Sequence, residues 1–393
     1  MWILIGVVLV VNVLLVLNGL LLLSRARPFA AGRVEGARGA ARAGVQGGGI
    51  SVIIPARNEA HNLPGLLATL QRQDAPALEV MVVDDQSTDE TAAVARSFGA
   101  AVIEVHEKGA GWLGKSWACW LGAKAARGRT LLFLDADTRL AEDALARLMQ
   151  AREESAPGMM MVQPYHRTVR AHEQLAALFN VIVVAATGRF SAWSGGRPGQ
   201  SGFGPLVMID RDTYFRVGGH EAVRTEVLED IALADVARAQ GVPVRLDLGK
   251  TLCSFRMYPN GLGDLVEGFS KGMAAGASAT PVAVLLVFSL WLSGGFITLG
   301  AAALAMWQPA WLLAALVGWV ANSLVLRHNL ARVGHFRAWT WVFFPVPLLA
   351  FVVLFARSAW LKRVRSEVRW KGRAIRLAKE GSPGSSLVVE EVS

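Results

Sequence analysis

Two aspartates one residue apart close an apolar run in Thr130-Leu131-Leu132-Phe133-Leu134-Asp135-Ala136-Asp137. The run has strand length, and residues i and i+2 of a strand face one side, so Asp135 and Asp137 can address a single divalent cation or its water shell. Carboxylate oxygens suit Mg2+ or Mn2+, ions that usually sit on a substrate's phosphates rather than in an all-protein cage. The ligand this predicts is a nucleotide diphosphate. Taken alone the pair is a weak signal, because acidic residues also serve simply to solvate a strand end.

Other stretches carry polar groups at similar places. Strand Ile50–Pro55 runs into Ala56-Arg57-Asn58-Glu59, and Val80–Val83 runs into Asp84-Asp85-Gln86-Ser87-Thr88-Asp89. Acidic groups at parallel-strand ends can accept hydrogen bonds from a base N–H or ribose hydroxyls; the plainer reading is that Asp85 and Ser87 cap the next helix. Gly111-Trp112-Leu113-Gly114-Lys115-Ser116-Trp117-Ala118 is a glycine-rich turn opening a helix, without the G-x-x-x-x-G-K-[ST] spacing that an ATPase loop requires. Lys115 can contact a diphosphate there, or equally snorkel as a surface lysine. In Thr225-Glu226-Val227-Leu228-Glu229-Asp230 the carboxylates either favour a helix N-terminus through its macrodipole or supply a general base. No Ser/His/Asp order or Cys/His cluster emerges, and the seven histidines lack metal-ligand spacing.

The elements that must position these groups alternate. After strand 50–55, Leu63, Leu66, Leu67 and Leu70 recur at helical spacing over 60–72; strand 80–83, helix 88–98, strand 101–105, helix 115–127, strand 130–134 and helix 141–153 come next. This predicts a mostly parallel, helix-covered α/β sheet with its ligand beyond the strands' carboxyl ends. Less regular sequence continues with strand 159–163, helix 170–188, a mobile glycine-rich loop at Gly195–Gly204, strand 206–209 and helix 228–240.

With 53% hydrophobic residues, 13 tryptophans and 18% charged residues, the chain reads as partly dissolved in lipid. Residues 2–23 carry no charge and are followed, not preceded, by Arg25 and Arg27, which marks an anchor over 1–24 rather than a cleaved leader. The positive-inside rule places the chain after residue 24 in the cytoplasm at the plasma membrane, and two cysteines offer no disulfide framework. Residues 25–48 read as a linker, 49–255 as the catalytic domain, 256–280 as an interfacial segment, and 281–360 as about three membrane segments. The last of these, broken by Pro345 and Pro347, is expected to be re-entrant, because a full span would put the basic tail 361–393 outside. Residues 381–393 are expected to be disordered. The net charge of +9 lies largely beside apolar segments, which favours the lipid bilayer over nucleic acid as its partner.

Ser51–Glu59, Val83–Asp89, Asp135-Ala136-Asp137 and Glu229-Asp230, in this order, resemble the family 2 glycosyltransferases. The resemblance implies the GT-A nucleotide-diphospho-sugar transferase fold, a Rossmann-like mixed sheet, here with N-terminal and C-terminal transmembrane helices. It implies a donor site of Pro55, Arg57, Glu59, Asp84, Asp85, Lys115, Asp135 and Glu229, a Mg2+ or Mn2+ ion at Asp135 and Asp137, and Asp230 as catalytic base. The motifs at Gly111–Ala118, Ser254–Pro259 and Glu267–Gly272 resemble the membrane-bound branch that contains carotenoid (diaponeurosporenoate) and hopanoid-associated glycosyltransferases. The expectation is inverting transfer of one sugar from a nucleotide-diphospho-sugar, UDP-linked, to a membrane lipid acceptor. A polysaccharide synthase is the rival reading, although its Gln-x-x-Arg-Trp motif is absent; a non-catalytic nucleotide-sugar sensor or lipid-transport partner is another.

Overall fold

The computed structural model describes residues 1–29, 49–154, 158–194, 201–278, 280–364, 367–370, 373–376 and 391–392. Most of the linker, residues 195–200 of the glycine-rich loop and most of the tail's end lie outside the described residues. The chain forms two compact units: Arg27–Tyr165 with Ser201–Arg256 and Ser366–Ser393, and Met1–Ala26 with His166–Gln200 and Met257–Arg365. Residues 166–200, although inside 49–255, therefore group with the apolar termini.

The first unit is built on strands β1 (Ile50–Ala56), β2 (Glu79–Asp84), β3 (Ala101–Glu104), β4 (Thr130–Leu134), β5 (Thr138–Leu140), β6 (Met159–Gln163), β7 (Tyr165–Arg167, entering the other unit), β8 (Leu206–Asp210), β9 (Val244–Leu248) and β10 (Cys253–Phe255). Seven of them form one sheet in the order β3-β2-β1-β4-β8-β6-β9. Only β8 runs against the rest, pairing antiparallel with β4 and β6, so the sheet is mixed but mostly parallel. Every residue of β4 is buried, which is why it reads as an unbroken apolar run rather than an alternating one. The sheet's core joins Val52, Ile54, Val82, Leu132 and Leu206 to Leu63, Leu66 and Leu67 of the helix Leu63–Gln71. On the sheet, helix Gly114–Ala125 packs through Gly122, where a Cβ would overlap Ile53 and lie 3.1 Å from Val83 Cγ2. The short strand β5, unforeseen in the sequence, pairs antiparallel with β10 directly after the Asp135-Ala136-Asp137 turn.

In the second unit, three helices among the described residues are long and apolar enough to cross a membrane: 2–21, 282–305 and 309–333. They meet at glycines and a buried polar cluster. Asn12 Nδ2 and Asn322 Nδ2 both donate to Thr298 Oγ1, at 2.9 and 3.0 Å, and a Cβ on Gly318 would stand 2.6 Å from Asn12 Nδ2. Interhelical hydrogen bonds beside small residues are a usual means of joining helices where lipid removes the hydrophobic drive. The N-terminal helix is thus the third member of a bundle.

Residues 338–364 fold back on this bundle. Trp319 Nε1 donates to Val342 O at 2.8 Å, and the Trp319 and Phe344 rings lie 5.1 Å apart, midway along helix Leu312–Val333. From there helix Pro345–Val364 passes Gly295, whose Cβ would lie 3.0 Å from Leu348, and then Phe288, 5.3 Å from Phe351. It therefore runs back toward the Val282 end. Pro345 and Pro347 occupy its first turn, where a missing N–H leaves no helical bond unmade. Ser358 Oγ donates to Ser270 O at 2.8 Å, pinning this helix to the helix Leu262–Ser278. Where the sequence predicts one helix over 170–188, a 3-10 turn at His172–Ala176 precedes helix Ala177–Ala186.

Candidate active site

β2, β1 and β4 are parallel neighbours, so Asp84-Asp85, Ala56-Arg57 and Asp135 leave the sheet side by side at its carboxyl edge. Two groups of predicted residues form there. In the first, Pro55 pairs with Val83 within the sheet, and Asp85 N–H donates to Ala56 O at 2.8 Å. Arg57 Nη1 donates to Asp85 O at 3.3 Å and stands 3.9 Å from Asp85 Oδ2. Asp84 is buried and accepts from the Ser87 N–H at 3.1 Å and from the Ser87 hydroxyl. Glu59 Oε2 accepts from Asn62 Nδ2 at 2.7 Å, and its own N–H donates to Thr91 Oγ1 at 2.8 Å.

Asn58 ties the two strand ends together. Its backbone sits at φ 53°, a left-handed conformation that asparagine tolerates better than most residues. Its N–H donates to Ser87 Oγ at 2.9 Å and its Oδ1 accepts from Thr88 N–H at 2.8 Å. The Ser87 hydroxyl thus serves the loop between the strand ends and does not cap the next helix, which begins at Thr91 with Glu90 at its N-cap.

The second group is centred on Lys115. Its Nζ lies 3.0 Å from Asp135 Oδ1, 2.9 Å from Glu229 Oε1 and 3.0 Å from Asp230 Oδ2. Lys115 occupies the first turn of its helix, where the macrodipole disfavours a cation. Three carboxylates outweigh that: burial works against the ammonium, yet Asp135, Asp230 and Glu229 hold its pKa well above the ordinary lysine value. Such a lysine is locked in place, not snorkelling. Glu229 and Asp230 begin helix Glu229–Ala239, where the dipole favours them. Burial alone would raise both carboxyls. The Lys115 ammonium overcomes it at Glu229 and holds that group down to about 2, whereas burial and the Glu229 charge push Asp230 well above the usual carboxylate range. The pair thus presents one firmly ionised carboxylate and one with raised proton affinity.

Asp137 is half-buried beyond the buried Ala136; both aspartates lie in the turn between β4 and β5, closed by Thr138 N–H donating to Asp135 O at 3.0 Å, and not on one strand face as their spacing predicts. Among the described residues no three His, Cys, Asp or Glu side chains cluster to hold a metal. The donors that fit Mg2+ or Mn2+ are the carboxylates of Asp135 and Asp137, a set that leaves most of the coordination shell to water and to a ligand's phosphates. Behind the cluster, buried His220 exchanges contacts with Tyr214, Nδ1 to hydroxyl at 2.9 Å and N–H to hydroxyl at 3.0 Å; burial lowers its pKa to about 4, so the ring is neutral. Neither residue has a motif signal in the sequence. Gly204 is equally unforeseen: a Cβ there would overlap Asp230 Oδ2.

The sequence model described as glycosyl transferase family 2 matches residues 51–232. The chain is similar to a 4,4'-diaponeurosporenoate glycosyltransferase of Staphylococcus aureus strain MRSA252, 34% identical over 339 residues that cover 84% of this chain and 89% of the relative. The same-named protein of strain USA300 is 35% identical over 338 residues, with the same coverage. Among solved structures, a mannosyltransferase from Pyrobaculum calidifontis in complex with GDP-Man and Mn2+ aligns with a TM-score of 0.45 and 22% identity, covering 78% of this chain and 86% of that one.

Proposed function

The chain belongs to the family 2 glycosyltransferases, and from that premise we propose that it transfers a single sugar, with inversion, from a UDP-sugar to an isoprenoid lipid acceptor at the membrane. The observation that carries this reading is the convergence of Lys115, Asp135, Glu229 and Asp230 beyond the carboxyl edge of the sheet. The group at Pro55, Arg57, Glu59, Asp84 and Asp85 takes the nucleotide, its carboxylates accepting from base and ribose.

An acceptor hydroxyl is a poor nucleophile at neutral pH. Asp230 takes its proton as the oxygen attacks the anomeric carbon from the face opposite the diphosphate, and the bond to the diphosphate oxygen breaks. A raised proton affinity suits that task; the ionised Glu229 does not compete for it. Where the acceptor group is a carboxylate, already ionised, Asp230 orients it instead. Asp135 and Asp137 would hold Mg2+ or Mn2+, which when bound supplies Lewis-acid stabilisation to the departing diphosphate. Lys115 adds positive charge at the same edge of the sheet.

A soluble acceptor needs no apolar bundle, whereas a lipid must be met at the bilayer. The S. aureus relatives carry the name of a carotenoid acid, and that supports an isoprenoid acceptor. Orientation follows from charge. Arg25, Arg327, Arg332 and Arg337 lie at one end of the three-helix bundle, while its other end, at Met306-Trp307-Gln308-Pro309, carries none. The positive-inside rule puts the arginine end, and the catalytic unit, on the cytoplasmic side. Residues 338–364 then form a re-entrant hairpin, which keeps the basic tail on that side too.

Incubating membranes that contain the protein with labelled UDP-sugars and a native lipid extract is expected to label one discrete lipid, its mass raised by a single sugar. Label in a high-molecular-weight polymer would establish the synthase reading in its place.

A further inference from the structure

Asp230 is held from two sides. Its Oδ2 meets Lys115 Nζ at 3.0 Å, and against the same oxygen lies Gly204. Gly204 precedes Pro205, whose carbonyl accepts from Asp135 N–H at 3.0 Å and Thr138 Oγ1 at 3.5 Å. The Gly204-Pro205 segment is therefore fixed to the end of β4 that carries Asp135 while touching the side chain of Asp230. A Cβ on Gly204 would overlap Asp230 Oδ2 and lie 2.8 Å from its Cγ. The φ of Gly204 is outside the left-handed region, so the backbone does not demand glycine here; space does.

We propose that Gly204 is a positioning residue whose missing side chain leaves the room in which the Asp230 carboxylate engages Lys115. The inference rests on Asp230 being the base. A methyl group at 204 meets the far end of a side chain that can rotate, so the chain still folds and the penalty falls on placement. Rotation withdraws Oδ2 from Lys115 and re-aims the oxygen that receives the proton.

The test is Gly204→Ala in the full-length protein, assayed with a UDP-sugar and lipid acceptor. The expected kcat falls on the order of 10²-fold, the effect of about 1 Å of misplacement at a reacting group, while donor KM and donor Kd keep their wild-type values. Gly202→Ala, in the same loop, places its methyl 2.9 Å from Cε of the pliable Met161 thioether and 3.2 Å from Ala234 Cβ, away from the Asp230 carboxylate, and is expected to retain far more activity. Asp230→Ala removes the group that the new methyl strikes. Gly204→Ala in that background is therefore expected to change neither thermal midpoint nor donor Kd. Wild-type kcat in Gly204→Ala overturns the inference, as does a loss of donor affinity equal to the loss of rate. A destabilisation that persists when Asp230 is alanine also overturns it, because the clash then lies elsewhere. A fully active Asp230→Asn protein would instead overturn the base assignment itself, whatever Gly204→Ala does.

Discussion

Asp230→Asn is expected to bind the UDP-sugar as tightly as wild type and to transfer it about 10²- to 10⁴-fold more slowly, the range usual for losing a positioned general base. Asparagine keeps the shape and a carbonyl oxygen at the start of the helix but cannot accept the acceptor's proton. The neighbouring carboxylate does not stand in for it. Glu229 is buried, which would raise it, yet the Lys115 ammonium holds it down to about 2, leaving a weak base at neutral pH. Donor affinity is spared because the proposed nucleotide group at Arg57, Asp84 and Asp85 stands at the ends of β1 and β2, held by contacts of its own, Arg57 with Asp85 and Asp84 with Ser87. Isothermal titration with UDP beside a transfer assay separates the two quantities. Equal losses in binding and rate would make Asp230 a donor ligand rather than the base.

Removing divalent cations gives the other large effect. Treatment with EDTA is expected to stop transfer, and added Mg2+ or Mn2+ to restore it, with a loss of about 3 kcal/mol of transition-state stabilisation, roughly 10²-fold, or more. Asp137→Ala should shift the metal concentration needed for half-maximal rate upward. Asp135 already engages Lys115 through Oδ1, so its replacement disturbs the cation and the lysine together. Asp137 is thus the cleaner probe. Direct binding of Mn2+, followed by electron paramagnetic resonance with and without UDP, checks the assignment independently of turnover. Transfer that is indifferent to the chelator contradicts it.

The parts of the fold that were legible in the sequence are those whose burial is one-sided or complete. β4 announced itself because both its faces are covered, and the two acidic strand ends stood out because each follows such a run. β5 and β10 were not legible: three residues each leave no period to read. The apolar stretch at 177–186 looks like any core helix, and only the three-dimensional grouping assigns it to the unit that contains the apolar spans. Pro345 and Pro347 suit a helix start better than its middle, and helix Pro345–Val364 begins there.

At the site, residue types gave candidates but not partners. Lys115 comes from a glycine-rich turn, Asp135 from a strand end and Glu229 and Asp230 from a helix start, and no spacing rule links such distant stretches. The lysine therefore reads equally well as a surface residue until its three carboxylates are located. Gly204 gave no signal at all among the neighbouring glycines, because its requirement is space beside one distant oxygen rather than a turn.

The most direct test of single displacement at Asp230 is the configuration of the product made from an α-linked UDP-sugar, read from the anomeric proton coupling in its NMR spectrum. One attack opposite the diphosphate predicts a β-linked glycolipid. An α-linked product, with configuration retained, would contradict it.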